Sequence, residues 1–324
     1  MPIPTIRVLC FSIAAALCAS IAPSSLVRAG DEFRQSHSAD PEGTVEIFDI
    51  AGSIELTGWN RPEIEVTGAP DDLGERVSIS GDGGKTSIYV RPGGGASHSS
   101  EDLKLVIHVP EKSEVKATLV SADLKVQGLK GDVNLRTVSG NISGEVGGDL
   151  SANTATGSIR LTARGAKSTE VRTINGDVEL KGGSGEVEIQ TVSGNAKVDL
   201  ATLTRGRFHS ISGNLTAHLS LAPDAELDGE SVSGNMRFDF PAAPSADFDI
   251  QSFSGNIDNC FGPKTEKAHY GPGERLEFKN GQGQARVRIE TKSGDVHLCT
   301  GALRRDAPAP VANCRNTGNI FYAI

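Results

Sequence analysis

Cys260 lies five residues after Gly255, and Cys299 lies five after Gly294. Asp258 and His297 lie three after the same two glycines. Equal offsets stack if the chain repeats, about 4.8 Å apart in a parallel sheet. That separation falls inside the Cα window of a disulfide. A Cys260–Cys299 bridge on the outer face is therefore expected, closing an insertion of the repeat. The same spacing makes Asp258, Cys260, His297 and Cys299 a weak candidate patch for zinc. Same-face positions along a strand are roughly 7 Å apart, and an oxidising compartment favours the disulfide. The expectation is a bridge and no metal, with no cofactor elsewhere.

Acid–base chemistry on a repeat surface needs two or three carboxylates at fixed offsets in neighbouring coils. Offset five reads Glu145, Thr162, Lys181, Asp199, His218, Asp239, so Lys and His interrupt the acids. Asp239 with Asp258 comes nearest and reads as a solvated pair. The seven histidines are scattered and form no Ser/His/Asp arrangement. The glycine-rich runs at 81–84 and 93–95 open no helix and read as turns rather than phosphate cradles. No catalytic residue is expected. The hydroxyl column Thr137, Thr173, Thr191, Ser210, Ser231, Ser252 and Thr291 reads as structural stacking rather than as an ice- or polysaccharide-binding array.

These residues need a frame that returns like positions to like places. The phrase TVSGN occurs at 137–141 and 191–195, with near-copies at 173–177, 210–214, 231–235, 252–256 and 291–295. Its glycines are Gly140, Gly157, Gly176, Gly194, Gly213, Gly234, Gly255 and Gly294, at steps of 17, 19, 18, 19, 21, 21 and 39. Ala122 looks like a degenerate copy. A period near 20 signals a solenoid. Two residues past each glycine stand Ile142, Ile159, Val178, Ala196, Leu215, Met236, Ile257 and Val296, all apolar. The next position is polar in every copy, the alternation of a half-buried strand. Five residues before the glycine, Leu135, Val171, Ile189, Phe208, Ile250 and Ile289 mark a second strand, and Gly229 breaks that column. Gly and Asn tolerate left-handed backbone angles, so the phrase reads as a corner. The expected fold is all-β: a parallel β-solenoid, or single-stranded β-helix, of about nine coils of 17–21 residues with a β-rich N-terminal cap.

The ends are less regular. Residues 1–29 read as a signal peptide, with an uncharged run over 8–22 and small residues at 27 and 29. Residues 30–115 read as a β-rich segment or cap, although Gly52, Ile54 and Leu56 hold the repeat's offsets. Residues 116–300 carry the coils, with a hairpin insertion near 262–286 built from 274–278 and 285–289. Residues 301–324 read as a loose tail bearing the odd Cys314. Removing 1–29 takes away Arg7 and Arg28 and no acid, which moves the net charge from −9 to −11. That surface disfavours nucleic acid and anionic lipid. No span crosses a membrane in the mature chain on this reading, and the protein is exported to the periplasm or cell surface.

The iterated T-x-S-G-[ND]-[IV] phrase, the segment over 52–60 and the export signal resemble the DUF4097 family of bacterial β-solenoid-like proteins, which carries the name putative adhesin. The resemblance covers roughly residues 44–299. It implies a non-catalytic, envelope-associated binding or structural module whose partner is an envelope protein or a polysaccharide. The rival expectations are a polysaccharide-active enzyme on a solenoid face and a self-assembling structural protein.

Overall fold

The computed structural model describes residues 33–69, 76–82, 84–91, 103–267 and 272–301. The expected signal peptide, the glycine-rich run at 93–95, Cys314 and nearly all of the expected tail lie outside the described residues. The described elements are β-strands joined in one mixed sheet.

Alternation of apolar and polar residues sets the strands, and the corner phrase ends them. Val133–Ser139, Leu150–Thr156, Ser168–Asn175 and Gly185–Ser193 pair parallel in turn, which aligns Leu135, Ala152, Val171 and Ile189. Past each corner the chain enters a second parallel run. Ile142–Val146, Ile159–Ala163, Val178–Gly182 and the start of Ala196–Ser212 align Ile142, Ile159, Val178 and Ala196. Both columns are buried, and they belong to one continuous core. Burying each Ile, Leu or Val contributes about 1.5–3 kcal/mol relative to exposure. At position 229 glycine leaves room for the neighbouring core side chains. A Cβ there would lie 2.9 Å from Met236 Cε and 3.2 Å from Phe238 Cζ, whose side chains occupy the space.

Toward the N-terminus the regular pairing continues past the expected boundary at 115/116. Thr44–Trp59 pairs parallel with Glu114–Leu129 from Thr44↔Glu114 to Thr57↔Gln127, and Gly52 lies opposite Ala122. Lys85–Val90 and Lys104–Pro110 add in parallel to the other edge of Thr44–Trp59. Antiparallel strands follow: Val77–Gly81 on Lys85–Val90, Glu63–Ala69 on Lys104–Pro110, and Phe33–Ser38 on Glu63–Ala69.

At the other end the strand order departs from the chain order. Leu215–Ser233 pairs with Ala285–Ser293, which in turn pairs with Ala246–Ser252. The last coil is therefore wedged between the two that precede it in sequence. Val296–Thr300 likewise lies between Met236–Phe240 and Ile257–Asn259. Within 262–286 an antiparallel pair does form, of Glu266–Lys267 with Glu274–Lys279, but not from the expected strands 274–278 and 285–289. Glu274–Lys279 runs antiparallel to Ala246–Ser252, on the edge opposite Ala285–Ser293, so the two expected hairpin strands never pair. The physical reason lies in the corner phrase. Residues 285–296 carry it and fit a coil edge on both sides, whereas 274–279 lacks it and covers the outer edge. An edge strand covered by an antiparallel neighbour no longer offers its main chain to other molecules.

Candidate functional site

The corner is built from three ladders. The first is steric. Gly157 holds φ +142°, and a Cβ there would stand 2.1 Å from the Gly140 carbonyl oxygen of the adjoining coil. No other residue permits that approach. Gly140, Gly176, Gly194, Gly213, Gly234 and Gly294 share the positive φ, and Gly255, in the outermost coil at the C-terminal end, does not.

The second ladder belongs to the residue after the glycine. Asn195 Oδ1 accepts the main-chain N–H of Asn214 at 3.1 Å, Asn214 Oδ1 that of Asn235 at 3.0 Å, and Asn235 Oδ1 that of Asp295 at 2.9 Å. Asp295 Oδ1 accepts the Asn256 N–H at 2.8 Å. These Asn residues have negative φ, since Asp224 is the one non-glycine residue with positive φ among the described residues. Asn and Asp thus serve as side-chain acceptors for the neighbouring coil, and the expected left-handed role belongs to glycine alone.

The third ladder is the hydroxyl column. Its members are buried, and Ser210, Ser231 and Ser252 donate to the carbonyls of Gly213, Gly234 and Gly294 at 3.1–3.4 Å. The hydroxyls bond to main chain rather than to one another. Thr191 Oγ1 and Thr291 Oγ1 are buried with no hydrogen-bond partner among the described residues.

With the hydroxyl turned inward, the residue between it and the glycine turns outward. That residue is Val138, Ile174, Val192, Ile211, Val232 or Phe253, and Val120 takes the equivalent place; these side chains are 39–62% exposed. Ala155 and Lys292 complete the column in the coils between. Beside it runs a polar column, which the register aligns as Arg136, Asn153, Arg172, Gln190, His209, Glu230 and Glu290. The two columns enclose a groove of about 740 Å³ floored by the Thr/Ser ladder. Seven exposed aliphatic and aromatic side chains share this repeat position, interrupted by Ala155 and by Lys292 between Val232 and Phe253, and exposed apolar clusters of this kind mark interaction sites. The sequence carried this signal. Leu135 inward and Arg136 outward make Thr137 inward and Val138 outward, if the alternation is counted through the corner phrase.

The polar column is graded. Arg136 has no acid within ion-pair distance among the described residues. Arg172 pairs with Glu170 and with Glu188 at 2.9 Å. The hydrogen bond from Arg172 holds the Glu188 carboxyl below its usual range, and Glu188 raises the Arg172 guanidinium in turn. His209 Nδ1 lies 3.3 Å from Glu230. Glu230 and Glu290 sit opposite each other in the register. The polar column is basic at one end and acidic at the other, where Lys292 also lines the groove and Arg288 lies 3.8 Å from Glu290.

The cysteine pair lies away from this groove. Cys260 and Cys299 form a disulfide with Cα atoms 4.9 Å apart. Both sulfurs are consumed, and His297 Nδ1 lies 3.3 Å from Asp258. No group of three or more metal-ligating side chains occurs among the described residues. Asp239, which is buried, pairs with Arg237 at 2.7 Å and with His218 at 3.3 Å. Val296–Thr300 separates its strand from that of Asp258, so the two acids do not meet. No helix among the described residues is long and apolar enough to cross a membrane.

Residues 54–299 match the family model described as Toastrack DUF4097. Among solved structures, the chain is similar to a putative cell adhesion protein from Clostridium sporogenes, at 13% identity and TM-score 0.26, covering 83% of this chain and 100% of that one. It is also similar to a putative adhesin from Bacteroides fragilis, at 8% identity and TM-score 0.33, covering 84% and 98%. A third likeness is to a putative lipid binding protein from Parabacteroides distasonis, at 14% identity and TM-score 0.29, covering 82% and 97%. No curated protein matches the chain.

Proposed function

The chain belongs to the Toastrack DUF4097 family, and from that premise we propose that it is a non-catalytic binding or structural module of the bacterial cell envelope. The observation that carries this reading is the exposed aliphatic column of Val138, Ile174, Val192, Ile211 and Val232 beside the groove. A stripe of branched side chains leaves apolar surface in water at most of these positions, which a scaffold alone does not require. The acids are paired with basic side chains or dispersed, which supports binding over hydrolysis.

On this reading residues 1–29 direct export, 30–115 form the N-terminal segment, 116–300 wind as a parallel β-solenoid of about nine coils, and 301–324 trail as a tail. The Cys260–Cys299 disulfide supports a periplasmic or cell-surface location, because such bridges persist in oxidising compartments. The test is cell fractionation of the full chain beside a variant carrying Ile174→Ser, Val192→Ser and Ile211→Ser. Retention of the parent in envelope fractions and release of the variant supports the reading. Equal retention of both, or hydrolysis of an envelope polysaccharide by the purified chain, overturns it.

A further inference from the structure

We propose that the occupant of the groove is a second copy of this chain, packed face to face with its coils stacked in the opposite direction. The proposal rests on the reading of this face as the interaction surface and supplies the partner.

Pitch is the first argument. The exposed column repeats at the distance between parallel strands, about 4.8 Å. A second copy has the same pitch by construction. The rows of the two copies can therefore stay in step over the length of the stripe. The column is branched and aliphatic through Val138, Ile174, Val192, Ile211 and Val232, which suits close dispersion contact with its own kind.

Charge is the second argument, and it selects the orientation. The polar column runs from Arg136 through Gln190 to Glu290, basic at one end and acidic at the other. A two-fold axis lying in the face and perpendicular to the stack keeps the polar column on one side and reverses its direction. Arg136 then meets Glu290 of the second copy, Asn153 meets Glu230, Arg172 meets His209, and Gln190 meets itself. Under the same axis Ile174 meets Ile211, Val192 meets itself, Ala155 meets Val232, and Val138 packs on the aliphatic stem of Lys292. A two-fold interface must be self-complementary in this sense. The arrangement also answers a feature of the single chain: Arg136 lacks an acid among the described residues, while Glu230 lies 3.3 Å from His209 and Glu290 3.8 Å from Arg288 on an exposed, screened surface.

The stripe spans seven rows, roughly 30 Å at the parallel spacing. It is narrow, so the contact falls in the class of weak, reversible interfaces rather than permanent ones. The geometry assigns a concentration-dependent dimer.

Sedimentation equilibrium of the purified full chain over a concentration series tests this, with the variants Arg136→Glu, Glu290→Arg and the double exchange. All the altered side chains are exposed, and circular dichroism checks that each variant folds. The expected result is a monomer–dimer equilibrium that each single variant weakens by about tenfold or more, as like charges now oppose each other. The double exchange returns the dissociation constant to within about threefold of the parent, since the pair is restored with its signs reversed. A chain that stays monomeric at every concentration overturns the proposal. So does a dimer indifferent to the single exchanges, or one the double exchange fails to restore. If the chain is monomeric and Ile211→Ser still releases it from envelope fractions, the self-pairing falls and the binding reading stands. If neither property responds to the column, both fall.

Discussion

The main-chain N–H of Asp295 donates to Asn235 Oδ1 at 2.9 Å, across a sequence separation of 60 residues. Asp295 then accepts the N–H of Asn256, at a separation of 39. The two bonds record the wedging of the last coil between two earlier ones. Asn235→Ala removes the acceptor on one side and is expected to cost about 1 kcal/mol, whereas Asn235→Asp keeps it and costs little. Urea unfolding midpoints of the two variants measure the difference.

The corner glycines predict a sharper contrast. At Gly194, φ is +130° and a Cβ would lie 2.2 Å from the Gly176 carbonyl oxygen. Gly194→Ala therefore combines backbone strain of about 1–3 kcal/mol with a main-chain clash that no rotamer relieves. At Gly84 the nearest atom to a Cβ is 3.8 Å away, so Gly84→Ala leaves stability nearly unchanged. Thermal unfolding of the pair checks both.

The Cys260–Cys299 bridge joins residues 39 apart in sequence. Closing a loop of that length restricts the unfolded chain by about 4 kcal/mol in the chain-entropy model. Unfolding with and without reductant is expected to show a loss of that order. The disulfide holds the wedged coil to its outer neighbour, so hydrogen exchange at Val296–Thr300 should rise on reduction before exchange at Val178–Gly182 does.

Stability is expected to fall in acid. Salt partners hold Glu179 and Glu188 below their usual range, chiefly through hydrogen bonds from Lys181 and Arg172. Glu274 is lowered first by the main-chain N–H of Ile257. A carboxyl lowered in the folded state stabilises it fully above the unfolded pKa, and the stabilisation is lost as pH falls through the folded one. The melting temperature should hold between neutral pH and about 5 and decline below about 4. Glu274→Ala, which strips the acceptor from the buried Ile257 N–H, should cost about 1–3 kcal/mol at neutral pH and flatten the acid limb.

Parts of this architecture are legible in the residues because they answer hard constraints. Gly157 against the Gly140 carbonyl admits one residue type, so the corner recurs in the text of the chain. Ile142, Ile159 and Val178 share a column because a slip of one residue would expose all three. Cys260 and Cys299 share an offset, and so they meet. The order of the last coils is not legible in the same way. Val296 pairs with Met236 on one side and Ile257 on the other, and the repeat makes those registers equivalent. Sequential order is the ordinary expectation, and nothing local contradicts it. The aliphatic column was hidden for another reason: Val138 and Val192 sit inside a phrase whose glycine and asparagine already had a structural explanation.

The central claim is that the exposed aliphatic column serves contact and not folding. The most direct measurement replaces Ile174, Val192 and Ile211 with Ser in one chain and reads thermal stability and envelope retention together. The account predicts an unfolding free energy within about 0.5 kcal/mol per site of the parent, as for solvent-facing positions, and loss of retention. A variant that unfolds, or that is retained as well as the parent, contradicts it.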